Sequence, residues 1–254
     1  MCIRDRNYSY TKIAMNKKID NKRVGFHSIE SIIKNSPHKI KKLFIPQSRE
    51  DKRIINLITL AKKNGIKYQV SKKLKQEPEA EILNENNLSF QDLKIFLEDT
   101  SNEKLNLLIL DNIIDPRNLG ACIRSAAVTE VDAIIINKHH CAPLNDVAHA
   151  VSSGGAEYVK IFFVSNLVNC VKFIKDMNIN VYGLSEHAKK DHIEVDFSSN
   201  TAVIMGSEEH GIRKKTKEIC DQLVRLSSNK DFKSFNVSVA TGIILSEISR
   251  QRKC

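Results

Sequence analysis

Short apolar runs alternate with segments of helical periodicity from Leu105 to the end of the chain, and this alternation constrains the fold more than any other feature. The first run, Leu105–Leu110, is continuously apolar, as expected for a strand buried on both faces of a sheet. Further strands are predicted at 133–136, 159–164, 181–184, 201–205 and 223–226, with helices between most of them and a last helix after residue 236. This order predicts an open, mostly parallel α/β sheet over residues 105–254, with ligands at the carboxyl ends of its strands.

The charge of the chain is unevenly distributed. Residues 1–75 hold 20 Lys and Arg against 5 Asp and Glu, whereas the remaining residues hold 20 against 25. A basic first third joined to a slightly acidic remainder indicates a module that binds a polyanion, and charge alone does not separate RNA from DNA.

Composition also excludes several classes of protein. With 254 residues and 41% hydrophobic content, the chain is long enough for one large domain or two small ones. No apolar run approaches the length of a membrane span. Its six cysteines contain no CxxC pair, and no secretory signal is recognisable. We therefore expect a cytoplasmic protein with reduced thiols rather than a disulfide framework or a zinc site.

The domain boundaries follow from shifts in pattern. Residues 1–23 are polar, basic and aperiodic, and we expect a disordered arm or an artefact of the gene model. Residues 24–75 predict a small α/β unit that carries most of this positive charge. Residues 76–104 are typical of a linker that carries one short helix over Leu93 and Leu97, and 105–254 form the second domain.

Three polar segments follow predicted strands. They are Asp111–Arg124, which contains Asn118-Leu119-Gly120; Gly206–Gly211, which contains Glu208; and Ser234-Phe235-Asn236-Val237-Ser238. None is a dinucleotide fingerprint or a phosphate loop. From local chemistry alone, Ser234 and Asn236 are better explained as caps of the last helix than as functional residues. The alternative interpretations of the other two residues are a cap of the following helix for Glu208 and a surface ion pair for Arg124.

Taken together and in this order, Asn-Leu-Gly-x-x-x-Arg, Met-Gly-x-Glu-x-x-Gly and Ser-x-Asn-Val-Ser-Val-Ala resemble the three motifs of the SpoU (TrmH-like) branch of the SPOUT RNA methyltransferases. Gly25–Glu30 and the unit after it resemble that family's small L30e-like RNA-binding domain. Within the family the chain is most similar to the bacterial enzymes that methylate a guanosine ribose of 23S rRNA, whose Arg-Glu-Asp-Lys-Arg run recurs at 49–53.

The resemblance implies more than the pattern itself. It implies a SPOUT-type trefoil-knot domain, homodimers, S-adenosylmethionine as cofactor, rRNA as partner, and no role for DNA or membranes. Cofactor contacts would come from the positions of Gly206, Leu226 and Phe235, where relatives usually have Leu in place of Phe235. Five residues of this chain match the catalytic polar residues of the family, namely Asn118, Arg124, Glu208, Ser234 and Asn236.

The implied reaction transfers a methyl group to a ribose 2′-OH and needs no metal, because the methyl of a sulfonium is already activated. The family proposal makes Arg124 the general base. A guanidinium stays protonated under nearly all conditions, so we favour Arg124 as a clamp for a phosphate and an alkoxide, with Glu208 as the proton acceptor. The run His139-His140-Cys141 is not expected to bind metal, because adjacent residues rarely ligate one ion together.

Two further interpretations of the sequence remain open. One is a sister methyltransferase that performs the same chemistry on tRNA, and the other is a non-catalytic RNA-binding protein with a degenerate fold. The intact Asn118, Arg124, Glu208 and Asn236 argue against the second interpretation. The His-Gln-Gly stretch that relatives carry before the linker has no counterpart near residues 75–90.

Overall fold

The first third of the chain forms a small α/β unit with a mixed sheet. The computed structural model describes residues 22–83, 87–100, 104–226, 229 and 234–253. Its first elements are β1 (Lys22–Val24), α1 (Phe26–Asn35), β2 (Ile40–Pro46), α2 (Lys52–Lys63), β3 (Tyr68–Ser71) and β4 (Glu79–Ile82). The strands lie in the order β1-β4-β2-β3, with β4 antiparallel to both neighbours and β2 parallel to β3.

Local sequence explains the elements of this unit. The Asp51 side chain caps α2 by accepting hydrogen bonds from the backbone N–H groups of Arg53 and Ile54. The apolar face of α2 packs with α1 against the sheet, and Ile29, Leu43 and Leu57 are fully buried between them. This core is separate from those of the second unit, so the small unit is stabilised largely by its own apolar burial.

Two strands of the small unit lie in segments where the sequence predicted none. Lys22 and Arg23, assigned to the disordered arm, belong to β1, while residues 1–21 of that arm lie outside the described residues. Strand β4 lies in the segment assigned to the linker, yet it occupies an interior position between β1 and β2. Both strands are three or four residues long, so their place depends on pairing with distant strands rather than on periodicity of their own.

The second unit is the predicted parallel α/β domain. It begins with α3 (Phe90–Asp99), the helix predicted within the linker, whose Leu93 and Leu97 are buried in the core of this unit. The remaining elements are β5 (Asn106–Leu110), α4 (Pro116–Val128), β6 (Ala133–Asn137), α5 (Asp146–Ser152), β7 (Lys160–Val164), α6 (Leu167–Asp176), β8 (Asn180–Leu184), β9 (Lys190–Asp191), β10 (Thr201–Met205), α7 (Lys214–Glu218), β11 (Gln222–Arg225) and α8 (Val237–Lys253).

All the strand pairs described in this unit are parallel, and their order is β7-β6-β5-β10-β8-β11-β9. The central strands β5, β6 and β10 are buried at every position because helices cover both faces. Helices α4 and α8 contribute to the core on one face, and α3 and α6 to the core on the other. The predicted fold class is therefore confirmed.

The strand order determines where a site can form. After β5 the chain builds β6 and β7 on one side of it, whereas β8, β10 and β11 lie on the other. Adjacent β5 and β10 thus lead into connections that run in opposite directions, and such a switch point is where open α/β sheets commonly bind their ligands. Asp111 and Gly206 directly follow these two strands.

The two units contact each other through α1 and β1 on one side and α5 with the turn after it on the other. Arg23 Nη1 lies 3.5 Å from Asp146 Oδ1 across this contact. Gly154 has φ +89°, and a Cβ there would lie 2.3 Å from Ser31 Oγ, so the close approach of α1 requires glycine. His149 of α5 is 6% exposed, and its burial, with the nearby positive charge of Arg23 and Lys39, lowers its pKa to about 3.

Within the described part of the chain, no helix is both long enough and apolar enough to span a bilayer.

Candidate active site

A cavity of about 220 Å³ opens at the carboxyl ends of β8, β10 and β11. Three stretches supply most of its wall, namely residues 184–187 after β8, residues 205–212 after β10, and Ser234 and Phe235 before α8. Leu226, directly after β11, completes the apolar side with Val224. We call this space the Gly206 cavity. It is where the strand-end rule placed a ligand from the sequence.

The backbone of residues 206–212 folds back on itself beside this cavity. The Ser207 and Gly211 backbones exchange two hydrogen bonds, of 3.1 and 2.9 Å, and Gly211 adopts φ +64°. A Cβ on Gly206 would lie only 2.0 Å from the carbonyl carbon of Gly211. The loop therefore closes only because residue 206 is glycine, and this closure projects Glu208 from its tip.

Glu208 joins the three motifs through one carboxylate oxygen. Its Oε1 accepts hydrogen bonds from Asn118 Nδ2 at 3.1 Å, from the backbone N–H of Val237 at 3.2 Å, and from Asn236 Nδ2. Asn236 Nδ2 also donates to Asn118 Oδ1 at 3.2 Å. We call Asn118, Glu208 and Asn236 the polar cluster. Its members come from α4, the loop after β10 and the start of α8, so folding brings together residues up to 118 positions apart.

Asn236 also caps α8, so the two interpretations of this residue are compatible. Its Oδ1 accepts from the Ser238 backbone N–H at 3.0 Å, while its Nδ2 contacts Glu208 and Asn118. Glu208 likewise accepts from the first N–H of α8, and not from the helix that follows it in sequence. Ser234 is exposed and lines the Gly206 cavity instead of capping α8.

The loop after β10 is anchored by an ion pair that the motifs did not reveal. Asp111, 0% exposed at the end of β5, accepts from Arg213 Nε at 2.6 Å and from the Arg213 backbone N–H at 3.1 Å. The Asp111 backbone N–H in turn donates to the carbonyl of Met205 at 2.8 Å. A charged residue directly after the apolar run of β5 was the only signal in the sequence. The pair fixes the loop that carries Glu208 against the strand that leads to Asn118.

Arg124 lies apart from the polar cluster within this chain. It is an exposed residue of α4, six positions after Asn118, which corresponds to about 9 Å along the helix axis. Among the residues that the structure describes, no hydrogen-bond or ion-pair partner contacts its guanidinium. Of the predicted residues, the structure thus brings Asn118, Glu208 and Asn236 together, and places Gly206, Leu226, Ser234 and Phe235 around the adjoining cavity.

Cys141 has a structural environment. Its Sγ donates to the carbonyl of Leu110 at 3.2 Å and accepts from the backbone N–H of Ile113 at 3.4 Å, which ties the turn after β6 to the end of β5. Burial raises the pKa of this thiol, so it stays protonated. His139 and His140 beside it are exposed. Residues 22–83, 87–100, 104–226 and 234–253 contain no group of three or more His, Cys, Asp or Glu that could hold a metal ion.

Comparison with known proteins gives two family matches. The sequence profile of the SpoU rRNA Methylase family matches residues 106–246. The profile described as RNA 2′-O ribose methyltransferase substrate binding matches residues 24–75. These matches cover the parallel domain and most of the small unit, respectively.

Solved structures with the same fold include two bound to S-adenosylmethionine. The SpoU methyltransferase AviRb from Streptomyces viridochromogenes, in complex with AdoMet, superposes with a TM-score of 0.78 at 20% identity, over 91% of this chain and 90% of that one. The AdoMet-bound rRNA methyltransferase from Sinorhizobium meliloti gives 0.68 at 18% identity, over 91% and 87%.

Sequence relatives are more similar. The 23S rRNA (guanosine-2′-O-)-methyltransferase RlmB of Shewanella oneidensis is 35% identical over 90% of this chain and 96% of its own length. RlmB of Escherichia coli is 33% identical over 90% and 97%. Because the family profile matches more than half of the chain and these relatives align along nearly all of it, the chain belongs to the SpoU rRNA methylase family.

Proposed function

We propose that this protein transfers a methyl group from S-adenosylmethionine to the ribose 2′-OH of a guanosine in 23S rRNA. The observation that carries the proposal is the 33–36% identity, over 90% of the chain, to RlmB enzymes that are named for this reaction. The polar cluster beside the Gly206 cavity supports it, because residues of all three family motifs meet there.

The Gly206 cavity suits the cofactor. Gly206 lets the loop after β10 close against its own backbone and so form one wall of the cavity. Leu226, Phe235 and Val224 offer apolar surface beside the polar groups of Ser185 and Ser207. We assign Gly206, Leu226 and Phe235 to its binding, largely through backbone atoms. When bound, S-adenosylmethionine supplies a methyl group already activated by its sulfonium charge.

The polar cluster is assigned to positioning of the ribose. Because Glu208 Oε1 accepts hydrogen bonds from Asn118 and Asn236, both amide side chains are held in one orientation beside the carboxylate, which itself lines the cavity. The second Glu208 oxygen is the candidate acceptor for the 2′-OH proton. Ser234, two positions before Asn236, lies on the cavity wall. A hydroxyl held in line with the methyl group needs little further assistance.

Arg124 is assigned to the RNA backbone. An exposed guanidinium with no partner in the described part of the chain can pair with a phosphate and stabilise the developing alkoxide. This role requires no loss of the guanidinium proton. Acting as a general base would require it, and the guanidinium stays charged in proteins.

We further propose a cytoplasmic homodimer that binds RNA and neither DNA nor membranes. Exposed apolar side chains on α4, α5 and α8 support dimerisation, since Val128 is 77%, Val147 47% and Val239 49% exposed. The four described cysteines are free, as expected in a reducing compartment. The trefoil knot implied by the sequence motifs stays a prediction.

The basic small unit, residues 24–75, is assigned to recognition of the substrate. On it, the guanidinium groups of Arg49 and Arg53 lie 4.7 and 4.5 Å from the ring of Phe26, and His27 contacts Arg53 at 3.0 Å. This arrangement pre-orients two cations of the 49–53 run on a rigid support.

The test is methyl transfer by the purified protein from labelled S-adenosylmethionine to separate pools of 23S rRNA, 16S rRNA and tRNA, followed by mapping of ribose methylation. We expect one labelled guanosine in 23S rRNA. Label in tRNA alone would favour the sister tRNA enzyme. Cofactor binding without transfer to any pool would favour a non-catalytic RNA-binding protein.

A further inference from the structure

A second cavity, of about 270 Å³, lies at the carboxyl ends of β6 and β7. Its wall consists of Asn137 at the end of β6, residues 165–168 at the start of α6, and residues 213–216 at the start of α7. We call it the Thr216 cavity. Neither the family motifs nor the proposed reaction accounts for it.

The wall of this cavity is positively charged. Arg213, Lys214 and Lys215 are among its lining residues, and the lining contains no carboxylate and no aromatic ring. The guanidinium of Arg213 already forms an ion pair with Asp111. Lys214 and Lys215 are exposed and pair with no carboxylate in the described parts of the chain. The cavity therefore favours an anion, and without a ring to stack on a base it suits a phosphate group rather than a whole nucleotide.

A buried hydroxyl in the same wall lacks a partner. Thr216 is 1% exposed, and its Oγ1 has no hydrogen-bond partner among the described residues. A buried hydroxyl without a partner loses its hydrogen bonds to water and gains none in return, so native proteins seldom retain one without a ligand or water to satisfy it. A phosphate oxygen would accept this hydroxyl.

The start of α6 adds backbone donors. Asn166 caps the helix by accepting from the Asn169 N–H at 3.0 Å. The N–H groups of Leu167 and Val168, which line the cavity, have no acceptor within a helix that starts there. Helix α6 is ten residues long, so its dipole also favours an anion at this end.

We propose that the Thr216 cavity binds a backbone phosphate of the substrate RNA, which rests on the proposed function only in naming RNA as the source of that phosphate. Arg213 relates the two sites, since it lines this cavity and its guanidinium holds Asp111 on the segment that leads to Asn118. The cavity opens at the same edge of the sheet as the polar cluster. A phosphate held there fixes the strand beside the reacting ribose without touching the reacting atoms.

The test compares Lys214→Ala/Lys215→Ala with Lys104→Ala/Lys172→Ala, which removes the same charge from exposed lysines of the same domain outside the cavity. Binding of a 23S rRNA transcript is measured over a series of KCl concentrations. We expect the cavity variant to bind RNA at least tenfold more weakly than the control at low salt, and its salt slope to fall by about 1–2. The Kd for S-adenosylmethionine and kcat at saturating RNA stay at the control values.

Thr216→Val separates phosphate binding from a purely structural role of the hydroxyl. Loss of a structural hydroxyl would lower Tm, whereas loss of a phosphate contact weakens RNA binding alone. The substitution removes the unpaired hydroxyl at nearly constant volume, so we expect unchanged or higher Tm together with weaker RNA binding.

Equal RNA affinity and equal salt slope in the cavity and control variants would overturn the proposal. Inorganic pyrophosphate is titrated separately, and loss of its binding in the cavity variant with RNA affinity unchanged would also overturn it, because the phosphate would then come from a free compound. Failure of the wild-type protein to methylate any RNA contradicts the proposed function alone, since RNA binding is measured without turnover.

Discussion

Gly206→Ala is the substitution whose effect follows most directly from the structure. The added Cβ would lie 2.0 Å from the Gly211 carbonyl carbon, 2.2 Å from the Ile212 nitrogen and 2.3 Å from the Gly211 oxygen. All three atoms belong to the backbone, so no rotamer change relieves the contact. Ordinary contact at 3.4 Å requires a displacement of about 1.4 Å in the loop that carries Glu208.

That displacement affects both the stability and the site. Forcing an extra methyl group into a packed position costs about 1–3 kcal/mol, which at a chain of this length lowers Tm by roughly 2–12 °C. A shift of this size exceeds what the 3.1 Å bond between Asn118 and Glu208 can tolerate, and a misplacement of about 1 Å costs on the order of 100-fold in rate. We expect kcat/KM to fall by about that factor, with weaker cofactor binding.

The assay combines calorimetric titration of S-adenosylmethionine, thermal unfolding, and methyl transfer to 23S rRNA. Gly242→Ala is the matched control, because a Cβ there meets Ser125 Oγ at 3.8 Å and alanine is favoured within a helix by about 1 kcal/mol. We expect this control to be at least as stable as the wild type and to keep its cofactor affinity. A Gly206→Ala protein that matches the control in Tm, cofactor affinity and kcat/KM would refute the steric reasoning.

Four further outcomes are expected. Arg124→Ala should abolish methyl transfer and leave the Kd for S-adenosylmethionine intact by titration; loss of both would assign Arg124 a structural role. Glu208→Gln should lower kcat by at least tenfold with little change in Tm, and an unchanged kcat would exclude Glu208 as the proton acceptor. Arg213→Ala leaves the buried Asp111 carboxylate without its cation, so urea unfolding should show a loss on the order of 3 kcal/mol, and a loss below 1 kcal/mol would contradict the anchor. The pKa of His149 is about 3 in the folded protein and near 6.5 in the unfolded chain, so between pH 3 and pH 6.5 the unfolded chain binds more protons. The free energy of unfolding should therefore fall by about 2 kcal/mol from pH 7 to pH 5, as measured by urea unfolding. His149→Gln should reduce this dependence on pH.

The parallel domain was predictable because its strands are buried on both faces. Continuous apolar runs such as Leu105–Leu110 and 201–205 are too short for buried helices, and they alternate with segments of helical periodicity, so strands of a covered sheet are the structure they favour. The carboxyl ends of parallel strands meet at one edge, so the same pattern also placed Glu208 near Asn118.

The elements that sequence reasoning missed depend on distant partners. β1 and β4 are short strands whose position is set by pairing, and no local pattern reveals which edge a three-residue strand will join. The Asp111–Arg213 pair connects residues 102 positions apart, and only the adjacency of β5 and β10 brings them together.

Arg124 shows a different kind of limit on inference from motifs. The spacing of Asn-Leu-Gly-x-x-x-Arg places Asn118 and Arg124 on one helix, but the rise of the helix separates them by about 9 Å. Residues that share a motif thus need not share hydrogen bonds within one chain.

The most direct test of the proposed function is a map of 2′-O-methyl marks across the rRNA and tRNA of a strain that lacks this gene, with and without the restored wild-type gene. We predict the loss of a single guanosine mark in 23S rRNA and its return on complementation. An unchanged 23S rRNA map, or a lost mark confined to tRNA, would contradict the central claim.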